Sequence, residues 1–231
     1  MWDYPRDIFL NISALFSHPR KNVRQAVPYF SQWESPELVD KILSHSISAS
    51  QDPLWENSGA QTAEEYELWS WNICGMACLK MILTSIYKKK FYTVALATQC
   101  ATYGGYLFEH RKGSDIPGLF YKPFTVFLER EFHLKSNTIK VLPIRRLKYH
   151  LSRGDYIIAS VHPAIRDIKN ASVAHKGGHL VVITGYDEDK KVLYLHNPSG
   201  LYKKSQENFE ISETDFKRFF AGKGIVIYNA T

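Results

Sequence analysis

The stretch GGHLVVITGYDEDKKVLYLHNPSG, Gly177 to Gly200, reads as two strands and a turn. HLVVITGYD (179–187) and KVLYLHN (191–197) are rich in β-branched and aromatic residues and are bounded by turn formers. YDEDKK joins them at hairpin length, so the spacing predicts an antiparallel pair. Working outward, DYIIASVH (155–162) and GIVIYN (224–229) have the same character. ISETDFKRFFAG predicts a helix, with Ser212 and Asp215 at capping-box spacing and Gly222 after it.

The first half of the chain has a different period. SPELVDKILSHS (35–46) predicts a short helix capped by Ser35, with proline and acids in its first turn. The stretch 48–61 reads as loop. Thr62 and Glu65 form a second capping-box spacing, and a further helix is expected from about Cys74 to Tyr87. TVALATQCATYG (93–104) is helical up to its glycines, and GLFYKPFTVFLEREFH (118–133) is helical with an interruption expected at Pro123. Helices first and antiparallel strands later give an α+β class, with the helices on one side of a sheet.

The chain has 231 residues, 45% of them hydrophobic, enough for one domain with a sizeable core. No apolar run approaches the roughly 18–20 residues that cross a bilayer, so no membrane partner is expected. The start MWDYPRDIFLNISALF lacks the pattern of an export signal, and the glycosylation patterns at Asn11 and Asn170 carry little weight without one. An odd number of cysteines, three, argues against a disulfide framework and for a reducing cytoplasm. The net charge of +6 is scattered over YKKKF (87–91), IRRLK (144–148) and YKKSQ (202–206). These read as solvated faces rather than a nucleic-acid groove, so no nucleic-acid partner is expected.

WNICGMACLKMIL (71–83) holds two cysteines four residues apart, on one helix face. The spacing is one residue too long for a typical redox pair. Cys74, Cys78, His175 and His179 supply four potential zinc ligands, a rival reading that the glycines of HKGGH weaken. Cys74 opens the helix, where unpaired amides and the macrodipole are expected to lower a thiol pKa, and Gly75 leaves room for a substrate backbone. Cys78 and Cys100 read as packing. Of nine histidines, His179 alone follows two glycines and opens the strongest strand. Asn197 ends the next strand, where its amide oxygen is placed to orient the His179 ring. Each residue also has a purely structural reading: a satisfied core histidine, and a turn-starting asparagine before proline.

These motifs resemble the papain-like C39 family of cysteine peptidases, in its stand-alone branch. VPYFSQW (27–33) is similar to the family's opening motif, NICGMACLKMIL to its nucleophile helix, KGGHLVVITGYD to its histidine strand, and VLYLHNPSG with ISETDFKRFF to the strand and helix that follow. The resemblance implies a papain-like domain over 27–231, with an insertion at about 34–73 and an N-terminal extension over 1–26. It implies Cys74 as nucleophile, His179 as general base and later acid, and Asn197 where the family usually has aspartate. The family's oxyanion glutamine precedes the cysteine by a few residues, where this chain has Leu68 instead. Gln32 in the opening motif is then the choice and Gln61 the second. The function implied is a cysteine peptidase acting on a peptide or protein, without cofactor or metal, with a partner protein presenting the substrate as one option. Acyl transfer by the same residues and a non-catalytic peptide-binding module are the alternatives. The loops DPLWENSG and YGGYLFEHRKGSD read as walls of the cleft, with Trp55, Trp69 and Trp71 as cleft or core.

Overall fold

The computed structural model describes residues 20–107, 116, 118–169, 171, 173 and 175–229. The N-terminal stretch through residue 19, the tip of the loop 103–115 and the patterns at Asn11 and Asn170 lie outside the described residues. Strand β1 (Asn22–Arg24) comes first, followed by helices α1 (Val39–Leu43), α2 (Ala63–Ser70), α3 (Cys74–Tyr87), α4 (Thr93–Thr102) and α5 (Tyr121–Phe132). Then follow β2 (Ser136–Ile139), α6 (Ile144–Ser152), β3 (Tyr156–Val161), β4 (His179–Asp187) and β5 (Val192–His196). The chain continues with α7 (Lys203–Gln206), β6 (Phe209–Ser212), α8 (Glu213–Phe219) and β7 (Phe220–Ile227).

The strands make one antiparallel sheet in the order β2-β7-β3-β4-β5-β6, and β1 lies beside the far end of β4. The hairpin read from Gly177–Gly200 is present: Val182 faces His196 and Asp187 faces Val192 across β4 and β5. β3 pairs with the first half of β4, Val161 opposite His179, and β1 with its last residues. At Gly185 the carbonyl oxygen of Val23 lies 2.2 Å from where a Cβ would be, so only glycine lets β1 close on β4.

Alternation along β4 divides the interior in two. Leu180 and Val182 belong to one cluster with α3, α4 and α5; Val181 and Ile183 belong to another with Leu147 and Leu151 of α6 and Phe216 and Phe219 of α8. The sheet is therefore covered on both faces. The early helices lie on one face as expected, and the one-sided arrangement fails because IRRLKYHLS is itself an amphipathic helix. Its run IRRLK is not a solvated face. Arg146 and Lys148 are buried, and the Lys148 ammonium pairs with Glu188 at 2.6 Å and with Glu213. The lysines of the other two basic runs are exposed.

Local chemistry explains several of the element ends. Thr62 Oγ1 accepts the Glu65 amide at 3.1 Å and Ser212 Oγ the Asp215 amide at 3.0 Å, as their spacings predict. Ser35 precedes a 3₁₀ turn (Pro36–Leu38) rather than capping a helix, because its hydroxyl donates to Asp52 at 2.6 Å. Pro123 does not interrupt α5: it falls in the first turn, where an amide has no helical partner to lose. The stretch 48–61 contains two 3₁₀ turns. Buried Asp52 gathers them, accepting also from the Tyr66 hydroxyl at 2.6 Å and the Leu54 amide at 2.9 Å.

Candidate active site

Cys74 is the first residue of α3, and the preceding Ile73 supplies no side-chain cap. The amides of that first turn are thus left for other acceptors. Packing brings this helix end to the start of β4: a Cβ on Gly75 would lie 3.1 Å from the Leu180 side chain, and Cys78 Sγ donates to the Leu180 carbonyl at 3.5 Å. The backbone groups of Leu180 and Gly75 lie near enough to the Cys74 sulfur to favour its thiolate. The residue before Leu180, and the first of β4, is His179.

His179 is buried, and its Nε2 lies 2.8 Å from Asn197 Oδ1. Asn197, at the end of β5, is also buried. Its oxygen accepts the Ser199 amide at 3.2 Å. A backbone N–H has only an oxygen to donate to here, which fixes which way the Asn197 amide points. The same oxygen then receives Nε2–H, so the proton sits on Nε2 and the lone pair on Nδ1. Ser199 Oγ lies 3.0 Å from His179 Nε2 and accepts from Arg166 Nε at 2.9 Å. Ser199 and Arg166 were not singled out in the sequence. Ser199 is hidden in the turn chemistry of NPSG, and Arg166, in a 3₁₀ turn after β3, carries no local signal.

Gln32 reaches the same place from the other end of the chain. Its amide donates to the Pro198 carbonyl at 2.7 Å, and its Nε2 donates to the Ser70 carbonyl at 2.6 Å, four residues before Cys74. Ser31 Oγ donates to the Pro198 carbonyl at 3.0 Å, and the Tyr29 hydroxyl to the Asn197 carbonyl at 3.3 Å. The opening motif is thus laced to the turn that carries Asn197. Gln61 is exposed, and its amide is occupied by Glu65 at the start of α2.

Charge at the site departs from expectation. Burial pushes the Cys74 thiol above its ordinary value; the Leu180 and Gly75 backbone groups and the Arg166 cation pull it down without prevailing. The helix end acts in the expected direction, but desolvation of a thiolate is the larger effect. Burial and then the nearby Arg166 lower His179 to about 3, against the hydrogen bond that its ring donates to Asn197. The resting pair is a neutral thiol and a neutral imidazole. Cys78 and Cys100 are buried and their thiols are raised by burial, Cys100 to about 12.

The four zinc-ligand candidates are not brought together. Cys78 is engaged by Leu180, and the His175 ring packs on His162 with centroids 4.8 Å apart. Among the described residues no group of three or more histidines, cysteines or carboxylates is placed to hold a metal. The tryptophans are largely core: Trp69 is buried against Tyr106, and Trp71 stacks on His45 and meets Trp33 edge-on. No described helix is long and apolar enough to cross a membrane.

Comparison with known proteins agrees with this fold. A protein described as a C39-like peptidase, from Bacillus anthracis, has a similar structure, with a TM-score of 0.51 at 14% sequence identity, over 69% of this chain and 90% of that one. That likeness concerns the fold, an α+β arrangement of the papain-like kind. No curated protein matches the sequence. The model of the Peptidase_C39 like family matches residues 24–221, which hold every residue of the site described above, and the chain belongs to that family.

Proposed function

We propose that this protein is a thiol hydrolase of peptide or amide bonds, with Cys74 as nucleophile, His179 as base and acid, and Asn197 as the group that orients the ring. The observation that carries the reading is the 2.8 Å bond from His179 Nε2 to an Asn197 oxygen whose direction Ser199 fixes, on the residue next to Leu180, whose backbone favours the Cys74 thiolate. Such a mount leaves Nδ1 unprotonated and held in place, which is what a base for a thiol requires.

In this reading the Cys74 proton passes to Nδ1 as the sulfur attacks the carbonyl carbon. The carbonyl π electrons move to oxygen, and the oxyanion takes hydrogen bonds from the Cys74 amide and from the second Nε2 hydrogen of Gln32, the first being engaged by Ser70. Each such donor is worth roughly 3–4 kcal/mol. Collapse breaks the carbon–nitrogen bond, Nδ1–H protonates the leaving amine, and a thioester remains. Water, deprotonated by Nδ1, attacks the thioester and releases the acid with Cys74 restored as thiol. Because the resting pair is neutral, proton transfer accompanies attack rather than preceding it. The three free cysteines support a reducing compartment such as the cytoplasm.

The test is alkylation mapped to each cysteine by mass spectrometry, with turnover of a mixed peptide library by wild type and Cys74→Ala. Cys74 is expected to react ahead of Cys78 and Cys100, to lose that lead in His179→Ala, and to be required for turnover. Turnover that survives Cys74→Ala overturns the reading.

A further inference from the structure

Arg166 is the charged group nearest the candidate pair that the hydrolytic steps leave without a task. It ends the 3₁₀ turn Pro163–Arg166 that follows β3. That turn is fixed by His162, whose Nδ1 accepts the Ala164 amide at 3.1 Å. The guanidinium is tethered along one edge only: Nε donates to Ser199 Oγ, which touches the His179 ring. Its charge reaches both the Cys74 sulfur and the His179 imidazole. Arg166 also lines an open cleft of about 300 Å³ with Pro163, Ala164, Asp167 and Ala171.

Two buried lysines show the partnering that this cation lacks. Lys80 pairs with Glu34 at 2.9 Å, and Lys148 with Glu188 and Glu213. Among the described residues no carboxylate pairs with Arg166. Asp167, on the cleft rim, is exposed to solvent and accepts the Lys169 amide at 3.3 Å within its own turn. A half-buried cation hydrogen-bonded through Nε, whose other N–H groups have no carboxylate partner among the described residues, bears a desolvation cost without an ion pair to offset it. Those groups form the planar fork that grips a carboxylate through two parallel bonds.

We infer that Arg166 is an anion-recognition group that binds a carboxylate of the substrate beside the bond that Cys74 attacks. The inference rests on the thiol-hydrolase reading and adds a substrate class to it: peptides with an acidic side chain or a free C-terminal carboxylate near the scissile bond. Ser199 is then the mount that sets the guanidinium against the His179–Asn197 pair.

Two alkylating reagents of nearly the same shape test this at Cys74 without a known substrate. Iodoacetate carries a carboxylate and iodoacetamide a neutral amide; the ratio of their rates at one sulfur cancels the thiolate population. The ratio is measured at pH 7.5, where the His179 ring is neutral, in wild type, Arg166→Gln and Arg166→Lys. Arg166→Gln is expected to lower it about tenfold, the factor that 1.4 kcal/mol makes, and Arg166→Lys to keep part of the preference. In wild type, protection of Cys74 from iodoacetamide separates the sources. N-acetylglycine set against N-acetylglycinamide tests a terminal carboxylate; N-acetylglutamate α-amide set against N-acetylglutaminamide tests a side-chain one. An unchanged ratio in Arg166→Gln, with Cys74 still the fastest thiol, overturns the inference and leaves the hydrolase reading standing. Should Arg166→Gln fail to fold, absence of protection by either carboxylate in wild type overturns it. A Cys74 no faster than Cys78 and Cys100 removes both.

Discussion

Acid titration of stability follows directly from the burial of His179. In the unfolded chain this imidazole takes a proton near pH 6.5; in the folded protein it resists protonation down to about 3. Below 6.5 the unfolded state therefore binds more protons, and the protein loses stability as pH falls. The slope for one such group is about 1.36 kcal/mol per pH unit. By pH 4.5 the loss is roughly 2.7 kcal/mol, and the window closes near pH 3 with a total of roughly 5 kcal/mol. The perturbation is His179→Gln, which removes the titrating group. It also changes the Asn197 hydrogen bond, but that offset does not vary with pH. The assay is urea unfolding of both proteins at pH 7, 5.5 and 4.5. Other titrating groups, His196 among them, are common to both and cancel in the difference. Wild type is expected to lose its advantage progressively below pH 6.5, while NMR of the His179 ring shows it neutral at pH 5. Parallel stability curves, or an imidazolium at pH 5, would refute the reasoning.

Three further perturbations test the framework around the site. Gly200→Ala puts a Cβ 2.1 Å from the Ser205 carbonyl oxygen, so backbone must move in the turn whose Gly200 amide bonds Asn197; thermal unfolding is expected to show about 2–3 kcal/mol lost, with slower Cys74 alkylation. Lys148→Ala strands the carboxylate of Glu213 and leaves Glu188 only the exposed Lys191; it is expected to cost about 3 kcal/mol in denaturant unfolding, a loss that a well-folded variant of unchanged midpoint would contradict. Asp52→Ala leaves Ser35, Leu54 and Tyr66 without their acceptor; hydrogen exchange is expected to rise across residues 34–61, with a global cost of about 3 kcal/mol.

The legibility of the fold was uneven for identifiable reasons. The hairpin carrying His179 and Asn197 was readable because long apolar strands with β-branched residues dominate their own neighbourhood. The strands NVR, SNTI and FEIS were not, because three or four residues of mixed polarity acquire strand character only from the partner they pair with. IRRLKYHLS looked like a charged surface because Lys148 finds the carboxylates of Glu188, just after β4, and of Glu213 in α8 only after folding.

The sequence by itself determined the α+β order, the helix that begins at Cys74, the glycine-preceded His179 and the Asn197 that ends the next strand. Each of these is encoded by local chemistry: caps, periodicity and turn residues. Only the tertiary structure decided what surrounds them. It laced Gln32 to Pro198 and Ser70 across long separations, and it set Ser199 against the His179 ring with Arg166 bonded to Ser199. It also reversed the expected direction of the Cys74 pKa shift. A helix terminus lowers a thiol pKa by an amount that can be judged locally, but desolvation depends on every element packed around the sulfur, and no stretch of sequence carries that sum.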